Sequence, residues 1–381
     1  MSAGLAHPLL IVGDVHLRRT PRPAVDEALA KLVERHPDHE VVLNGDSFDL
    51  STDPPEHPPW ESVARILATN SLSRNALSAH LSRGGQLTLV AGNHDAALSS
   101  PEVTDVLRSK LGAGLSVAPW FIRRGAVHIE HGHLYDPDNA PSHPLARWSL
   151  ATEPLGVALT RRFVAASGVW EFAHGNETTP LAGLLGTIRR HGARAPLKIW
   201  RYYSVATELT FEAGRQPGID EERARGALAV AELAREVGVD ADALHALALA
   251  SWGATHHRRG ATFQRLYLDR SLATATLLAA AGVALAGSPV GAGAALLSAS
   301  YLGWSISRGT NRYRGLVTRR MDDAAAQIAE LTHASVVVLG HTHQVADRDG
   351  YLNPGSFAYP TGSERRFVRV LQDGSPELGA I

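Results

Sequence analysis

Short apolar runs that end abruptly in polar knots constrain this chain more than any other feature. Leu87-Thr88-Leu89-Val90 leads directly into Ala91-Gly92-Asn93-His94-Asp95. The run reads as a buried strand. A strand end that delivers Asn, His and Asp side by side makes a poor core and a good site. Asn offers a neutral oxygen ligand, His a nitrogen acid or base, and Asp a carboxylate that can orient the His. One such knot is ordinary turn chemistry, so its meaning depends on the others.

The others are spread along the chain. Leu9-Leu10-Ile11-Val12 ends in Gly13-Asp14-Val15-His16, and Val41-Val42-Leu43 ends in Asn44-Gly45-Asp46-Ser47-Phe48-Asp49. In extended chain Asp14 and His16 point to the same side, so both can reach one ion. Gly45 lets the backbone turn tightly beneath a carboxylate. Helices are expected at Pro23 to Arg35, Trp60 to Leu81 and Pro101 to Leu111, with a proline-rich loop from Pro54 to Pro59. Strands are expected at Leu115 to Ile122 and at Ala126 to Glu130, the second ending His131-Gly132-His133. From Asp136 the pattern becomes helical, clearest at Asp220 to Val237, with Asp220 as N-cap and Gly238 as terminator, and at Asp240 to Trp252. Strand logic returns at Ala334 to Leu339, which ends Gly340-His341-Thr342-His343. A turn at Asn353 to Ser356 and a last strand at Arg366 to Leu371 follow. The organisation expected is a layered α/β body in two pieces, 1–140 and 334–381, interrupted by a mainly helical insertion, 141–333.

Five strand ends therefore carry ligand types: Asp14/His16, Asp46, Asn93/His94, His131 and His341/His343. Ligands of open α/β sheets gather beyond the carboxyl ends of the strands. Carboxylate and amide oxygens mixed with imidazoles suit Mn, Fe or Zn better than Ca. Seven candidate ligands exceed the needs of one ion. They suit two ions about 3.5–4 Å apart that share a carboxylate, the arrangement that clamps both oxygens of an in-line phosphoryl displacement.

The series Asp14-x-His16, Gly45-Asp46-x-x-Asp49, Gly92-Asn93-His94-Asp95, His131 and Gly340-His341-x-His343 resembles the calcineurin-like metallophosphoesterase superfamily. All five blocks occur in order, over roughly residues 9–135 and 334–372. The resemblance implies a four-layer α/β/β/α sandwich. It implies one ion on Asp14, His16, Asp46 and His343, and another on Asp46, Asn93, His131 and His341, with Asp46 bridging. A hydroxide between the ions would attack phosphorus, while His94 serves as general acid or as charge partner in the transition state. Asp95 would orient His94, and Asp49 would support the ligands from behind. His133 faces the substrate or caps its turn, the turn being favoured. The cofactors implied are two divalent ions, Mn2+ first, with Fe, Zn or Mg as alternatives. Within the superfamily the chain is distantly similar to the UDP-2,3-diacylglucosamine pyrophosphatase type. It differs in having His94 where that type carries Arg, and in a much longer insertion.

Inside the insertion, residues 271–307 hold no formal charge and have Ser288-Pro289 near the middle. Arg258, Arg259, Arg265 and Arg270 precede this stretch; Arg308, Arg312, Arg314, Arg319 and Arg320 follow it. Two arms of that size would be about 23–27 Å long, slightly short of a hydrocarbon core. Ala295, Ala299 and Gly303 form a small-residue stripe suited to close helix contact. Three readings stand: a membrane hairpin with both ends cytoplasmic, a buried hairpin in a soluble cap, or an oligomer interface. The double basic flank ranks the membrane first. Trp200-Arg201-Tyr202-Tyr203 and Trp252 with His256 to Arg259 could add interfacial anchors.

Composition trims the alternatives. A formal net charge of −1 gives no bulk electrostatic case for a nucleic-acid polymer. The absence of cysteine removes thiolate metal sites, disulfides and Cys nucleophiles, and 19 His remain for ligation. No secretory signal is expected at the N-terminus. The expected protein is a two-metal phosphoesterase at the cytoplasmic membrane's inner face, acting on a lipid-linked or nucleotide-linked phosphomonoester, phosphodiester or pyrophosphate. The alternatives are a soluble nucleotide phosphodiesterase or protein phosphatase with a helical cap, and a non-catalytic metal-binding scaffold.

Overall fold

Continuous apolar strands must be covered on both faces, and the first four runs achieve this by lying parallel to one another. They are β1 (Leu9–Gly13), β2 (Glu40–Asn44), β3 (Leu87–Val90) and β4 (Leu115–Ala118), hydrogen-bonded in that order. Their crossovers contain α1 (Pro23–Arg35), α2 (Pro59–Thr69), α3 (Ser71–Ser82) and α4 (Pro101–Leu111). A second sheet holds β5 (Phe121–Arg124), β6 (Val127–Glu130), β7 (Val336–Val338), β8 (Val345–Arg348) and β9 (Tyr351–Pro354) in the order β5-β6-β7-β9-β8. β10 (Arg366–Val370) joins β1 antiparallel, and β11 (Pro376–Ala380) extends the first sheet beyond it. The computed structural model describes residues 5–169, 179–250, 253–312 and 315–381.

The chain divides into two compact units. The first comprises Met1–Val157, Pro217–Ala254 and Val317–Ile381; the second comprises Ala158–Gln216 and Thr255–Leu316. In the first unit the period-2 alternation of strands sorts residues into layers. Leu10, Val12 and Leu43 pack with Leu29, Ile66 and Leu107 of the helices, while Leu9, Ile11 and Val42 pack with Ile129, Val336 and Val338 of the other sheet. The far face of the second sheet, with Phe121 and Val337, is covered by α8 (Ile219–Val237), α9 (Ala241–Ala250) and α13 (Leu316–Thr332). The result is an α/β fold of four layers. Helices α8 and α9, read from sequence as part of the insertion, supply an outer layer of this unit.

The second unit is helical. The chain enters it near the end of α5 (Leu155–Leu159), and a π-helical turn at Thr160–Ala165 is followed by α6 (Pro180–His191), α7 (Ala195–Glu212), α10 (Arg259–Arg265), α11 (Leu268–Leu285) and α12 (Pro289–Ser307). The last two form the apolar hairpin. Their close approach uses Gly291, where a Cβ would stand 2.6 Å from Ala284 N, and not the expected stripe, since Ala299 and Gly303 are exposed. The arms present Leu278, Leu285, Val290, Leu296 and Leu297 to solvent. Polar bonds knot the base: Arg312 pairs with Asp269 at 2.5 Å, and Arg270 donates to Ser305 O and Gly309 O. Arg265, Arg270 and Arg312 are thus spent partly on the protein's own acceptors. Tyr202 donates to Leu266 O and His256 is buried against Gln216, so neither is an interfacial anchor, whereas Trp200 is exposed. Trp252 and Arg314 lie outside the described residues.

Several local expectations are corrected. The helix expected over Trp60 to Leu81 breaks at Asn70, whose side chain donates to Ile66 O and to Arg18 O. The strand expected over Leu115 to Ile122 is cut at Pro119-Trp120 and its halves enter different sheets, proline having no N–H for a ladder. Asp220 sits in the first turn of α8, and the N-cap is Gly218 in a left-handed conformation (φ 79°). Asn353 and Pro354 end a strand before the turn at Gly355, and Arg366 to Leu371 is followed by β11.

One tertiary cap joins α1 to α3. Buried Asp26 accepts from Ser73 N at 2.8 Å and Leu72 N at 3.2 Å, satisfying first-turn donors that α3 cannot. Asp26→Ala should therefore cost about 1.5–3 kcal/mol, the range for hydrogen bonds to a charged group. Urea denaturation would measure this, and a change below about 0.5 kcal/mol, the noise of ordinary surface substitutions, would deny the cap its role.

Candidate metal centre

Each strand end places its side chains by leaving regular geometry at once. Asp14, His16, Asp46, His341 and His343 all have left-handed backbone, with φ between 46° and 68°. Asp14 and His16 are therefore not in extended chain as the sequence suggested; the turn, not the strand pleat, aims both inward. Glycines make room beside them. A Cβ on Gly45 would strike the His131 ring at 2.2 Å, and one on Gly92 would strike Asp46 Oδ1 at 2.3 Å.

The side chains converge in overlapping trios, Asp14/His16/His343 and Asp14/Asp46/His131, whose ligand atoms lie within 4.8 Å of one another. His343 Nε2 is 3.1 Å from Asp14 Oδ1, and His16 Nε2 faces His343 Nε2 at 3.4 Å. Asp46 Oδ2 lies between the two groups, 3.8 Å from His16 Nε2 and 3.4 Å from His131 Nε2. Asn93 Oδ1 lies 3.2 Å from His131 Nε2. His341 stands apart from the trios, its Nε2 bonded to Asp136 Oδ2 at 3.0 Å, which leaves Nδ1 as the nitrogen for an ion.

These donors suit divalent cations. Asp14, Asp46, Asp49 and Asp95 are all buried within a few ångströms of the imidazoles, and Asp14 Oδ1 lacks a well-aligned donor. Ionised carboxylates this desolvated require compensating positive charge. Burial opposes charge on His94 and His131, yet Asp46 outweighs it with help from Asp49 and Asp14 and pushes both imidazoles up to about 9. Burial raises Asp46, but His131 and His94 hold it well below the usual carboxylate range. Burial lowers His16 to about 3, so it presents a lone pair. The protons on His131 and His94 stand where cations would balance the same field.

The orienting partner of His94 is Asp49, not Asp95. His94 Nδ1 meets Asp49 Oδ1 at 3.0 Å and Ser51 Oγ at 2.7 Å, and Arg18 Nε bonds Asp49 Oδ2 at 2.8 Å. Asp95 instead accepts from the backbone N–H groups of Gly92, Asp46 and Phe48, lacing two strand-end loops together. Burial and Asp46 together raise Asp95 to about 7. His133 takes part in its turn through the backbone, its carbonyl accepting from Asp136 N at 3.2 Å, and not through a cap bond of its ring. It opens the turn His133–Tyr135 and lines a solvent-open cleft of about 590 Å³ with Asn93, Asn139 and Trp148. Sequence reasoning missed Asp136, Asn139, Ser51 and Arg18. Each lies within a few residues of a motif block, which is the signal that could have found them.

The model of the calcineurin-like phosphoesterase family matches residues 7–195 of the chain. No curated protein matches it.

Ligation requires neutral imidazole, so an ion held by His131 must displace the proton that the carboxylates keep there. Below about pH 9 each displaced proton should strengthen metal affinity by about tenfold per pH unit, an effect that levels off above it. Calorimetric titration with Mn2+ at pH 7.5 in buffers of different ionisation heat should show at least one proton released. Zero release would take His131 out of the ligand set.

Proposed function

The chain belongs to the calcineurin-like phosphoesterase family and is a metal-dependent phosphoesterase; we propose that it works with two divalent ions, Mn2+ foremost, at a membrane face. Asp14, His16, Asp46 and His343 would hold one ion, and Asp46, Asn93, His131 and His341 the other. The observation that carries this reading is Asp46 Oδ2 between His16 and His131, one carboxylate oxygen within reach of both groups. The ions supply Lewis acidity, lowering the pKa of a water and offsetting phosphoryl charge.

The remaining work falls to the chain's own side chains. His94 is the most exposed of the group around Asp49, and Asp49 and Ser51 hold its Nδ1. Its Nε2 is therefore the nitrogen left to give a proton to the leaving oxygen. Asp49 steadies the imidazolium before transfer, and Arg18 keeps Asp49 in place. His94→Ala should lower kcat by about 10²–10⁴-fold on esters with poor leaving groups, with bound metal unchanged. The loss should shrink for nitrophenyl esters, which need little protonation. Equal losses on both would make His94 a phosphate-stabilising group instead.

The membrane part of the reading rests on the hairpin. By length and composition α11 could cross a bilayer, and only 11% of its apolar window is buried. Leu285 and Val290 at its tip are 91% and 80% exposed. A hairpin left bare on both arms is favoured by hydrocarbon, and not by a cap packed on its own chain. A lipid-linked or nucleotide-linked phosphoester is the substrate such a placement suits. The full chain should stay with membranes through a high-salt wash and leave with detergent. Replacing 271–307 by a short Gly-Ser linker should release a protein that still hydrolyses small phosphodiesters. A full chain that is monodisperse without detergent would end the membrane reading.

A further inference from the structure

Beside the His16/His343 edge of the centre sits a basic group that metal ligation does not use. Tyr359 stacks on His343, with ring centroids 6.0 Å apart and planes at 22°, and meets the His16 ring edge-on at 5.7 Å. Arg22 Cζ lies 4.3 Å from the Tyr359 ring centroid. Arg18 donates to the Tyr359 hydroxyl and pairs with Asp49 at 2.8 Å. Among the described residues no carboxylate lies within 4.0 Å of the Arg22 guanidinium. Its oxygen partners on the backbone are distant, Val15 O at 3.5 Å and His16 O at 3.4 Å.

This arrangement is costly as pure scaffolding. Burial, with the like charges of Arg18 and Arg365, weighs against the Arg22 cation. A half-buried guanidinium normally has a carboxylate or phosphate to match its planar fork. Asp49 is taken by Arg18, and among the described residues Arg22 has no carboxylate of its own, so its charge stands one aromatic ring away from two candidate ligands without a paired anion. An anion that meets Arg22 there must adjoin the group reacting at the centre.

We propose that Arg22 and Arg18, with the Tyr359 hydroxyl, form a subsite for a second anionic group of the substrate, so that the enzyme prefers diphosphate-bridged substrates to simple phosphodiesters. The inference rests on the phosphoesterase reading and narrows its substrate class. Arg22 supplies the fork to the outer phosphate, and the inner phosphorus is the one attacked. A nucleotide diphosphate and a lipid diphosphate share this chemistry.

The test compares ADP-ribose, CDP-diacylglycerol in mixed micelles and bis(p-nitrophenyl) phosphate on the metal-loaded protein. Arg22→Gln should raise KM for the two diphosphates about tenfold more than KM for the simple diester, as expected for a lost charge-assisted hydrogen bond of about 1.5 kcal/mol or more. Arg22→Lys, which keeps the charge but not the fork, should recover part of the difference and guards against a folding defect. Whichever diphosphate the wild type turns over better identifies the source. Equal KM changes on all three substrates would overturn the subsite. A separate arm measures binding of α,β-methylene-ADP by calorimetry, where Arg22→Gln should weaken binding about tenfold. If no substrate is hydrolysed but this binding still depends on Arg22, the phosphoesterase reading fails and the anion subsite stands. Binding that ignores Arg22 overturns the subsite whatever the activity.

Discussion

The rest of the structure depends on four buried carboxylates, Asp14, Asp46, Asp49 and Asp95, held within one pocket of low dielectric. Such a group is unstable without positive charge, and the chain supplies it unevenly. Arg18 serves Asp49, backbone N–H groups serve Asp95, and imidazoles serve Asp14 and Asp46. Only the last pair depends on groups that can exchange a proton for a metal. The division explains how side chains that look alike in sequence differ in their contacts: Asp95 binds loops, Asp49 steadies His94, and Asp14 and Asp46 are left to the ions proposed above.

Two sheets are needed to assemble this. Asp14, Asp46 and Asn93 follow β1, β2 and β3 of the first sheet, while His131 and the His341/His343 pair follow β6 and β7 of the second. Backbone hydrogen bonds lace the loops across and along the sheets: His16 N to Asp46 O at 2.8 Å, Gly340 N to His131 O at 2.9 Å and Ala358 N to Asp14 O at 3.0 Å. Because β1 and β7 are more than 300 residues apart in sequence, the centre forms only when the first unit is complete. The helical hairpin contributes no ligand, which is why a long segment can be inserted between β6 and β7 without disturbing the chemistry.

Much of this was legible in the sequence. Apolar runs ending in ligand residues gave β1, β2, β3 and β6 and the converging side chains, since strand ends in α/β sheets collect polar groups. What failed had physical reasons. Pro119 ends one strand and permits another in the other sheet, a topological choice no period-2 pattern records. Asn70 breaks a helix by bonding to Arg18 O, a tertiary contact invisible locally. Sequence reading assigns Asp95 to His94 and the partner is Asp49, because adjacency in sequence says little about which carboxylate a turned loop brings near. Helices α8 and α9 look like any amphipathic pair, and nothing in their composition says that they cover a sheet.

The left-handed residues show what holds the centre ready. Five site residues other than glycine have positive φ, and a sparsely populated backbone costs about 1–3 kcal/mol each. Their sum is comparable to the whole stability of a typical domain, about 5–15 kcal/mol. Such a set survives only where its surroundings over-determine it, and both sheets, the loop hydrogen bonds and the close packing at Gly45 and Gly92 do so here. The carboxylates add repulsion to the same region. Cations that bound only the folded arrangement would offset that repulsion and stabilise the strained turns with it, by the linkage that makes any native-state ligand stabilising. Stability and catalysis thus share one requirement in this protein: strain and charge concentrated at the strand ends are tolerable because the group they attract is the one the chemistry uses.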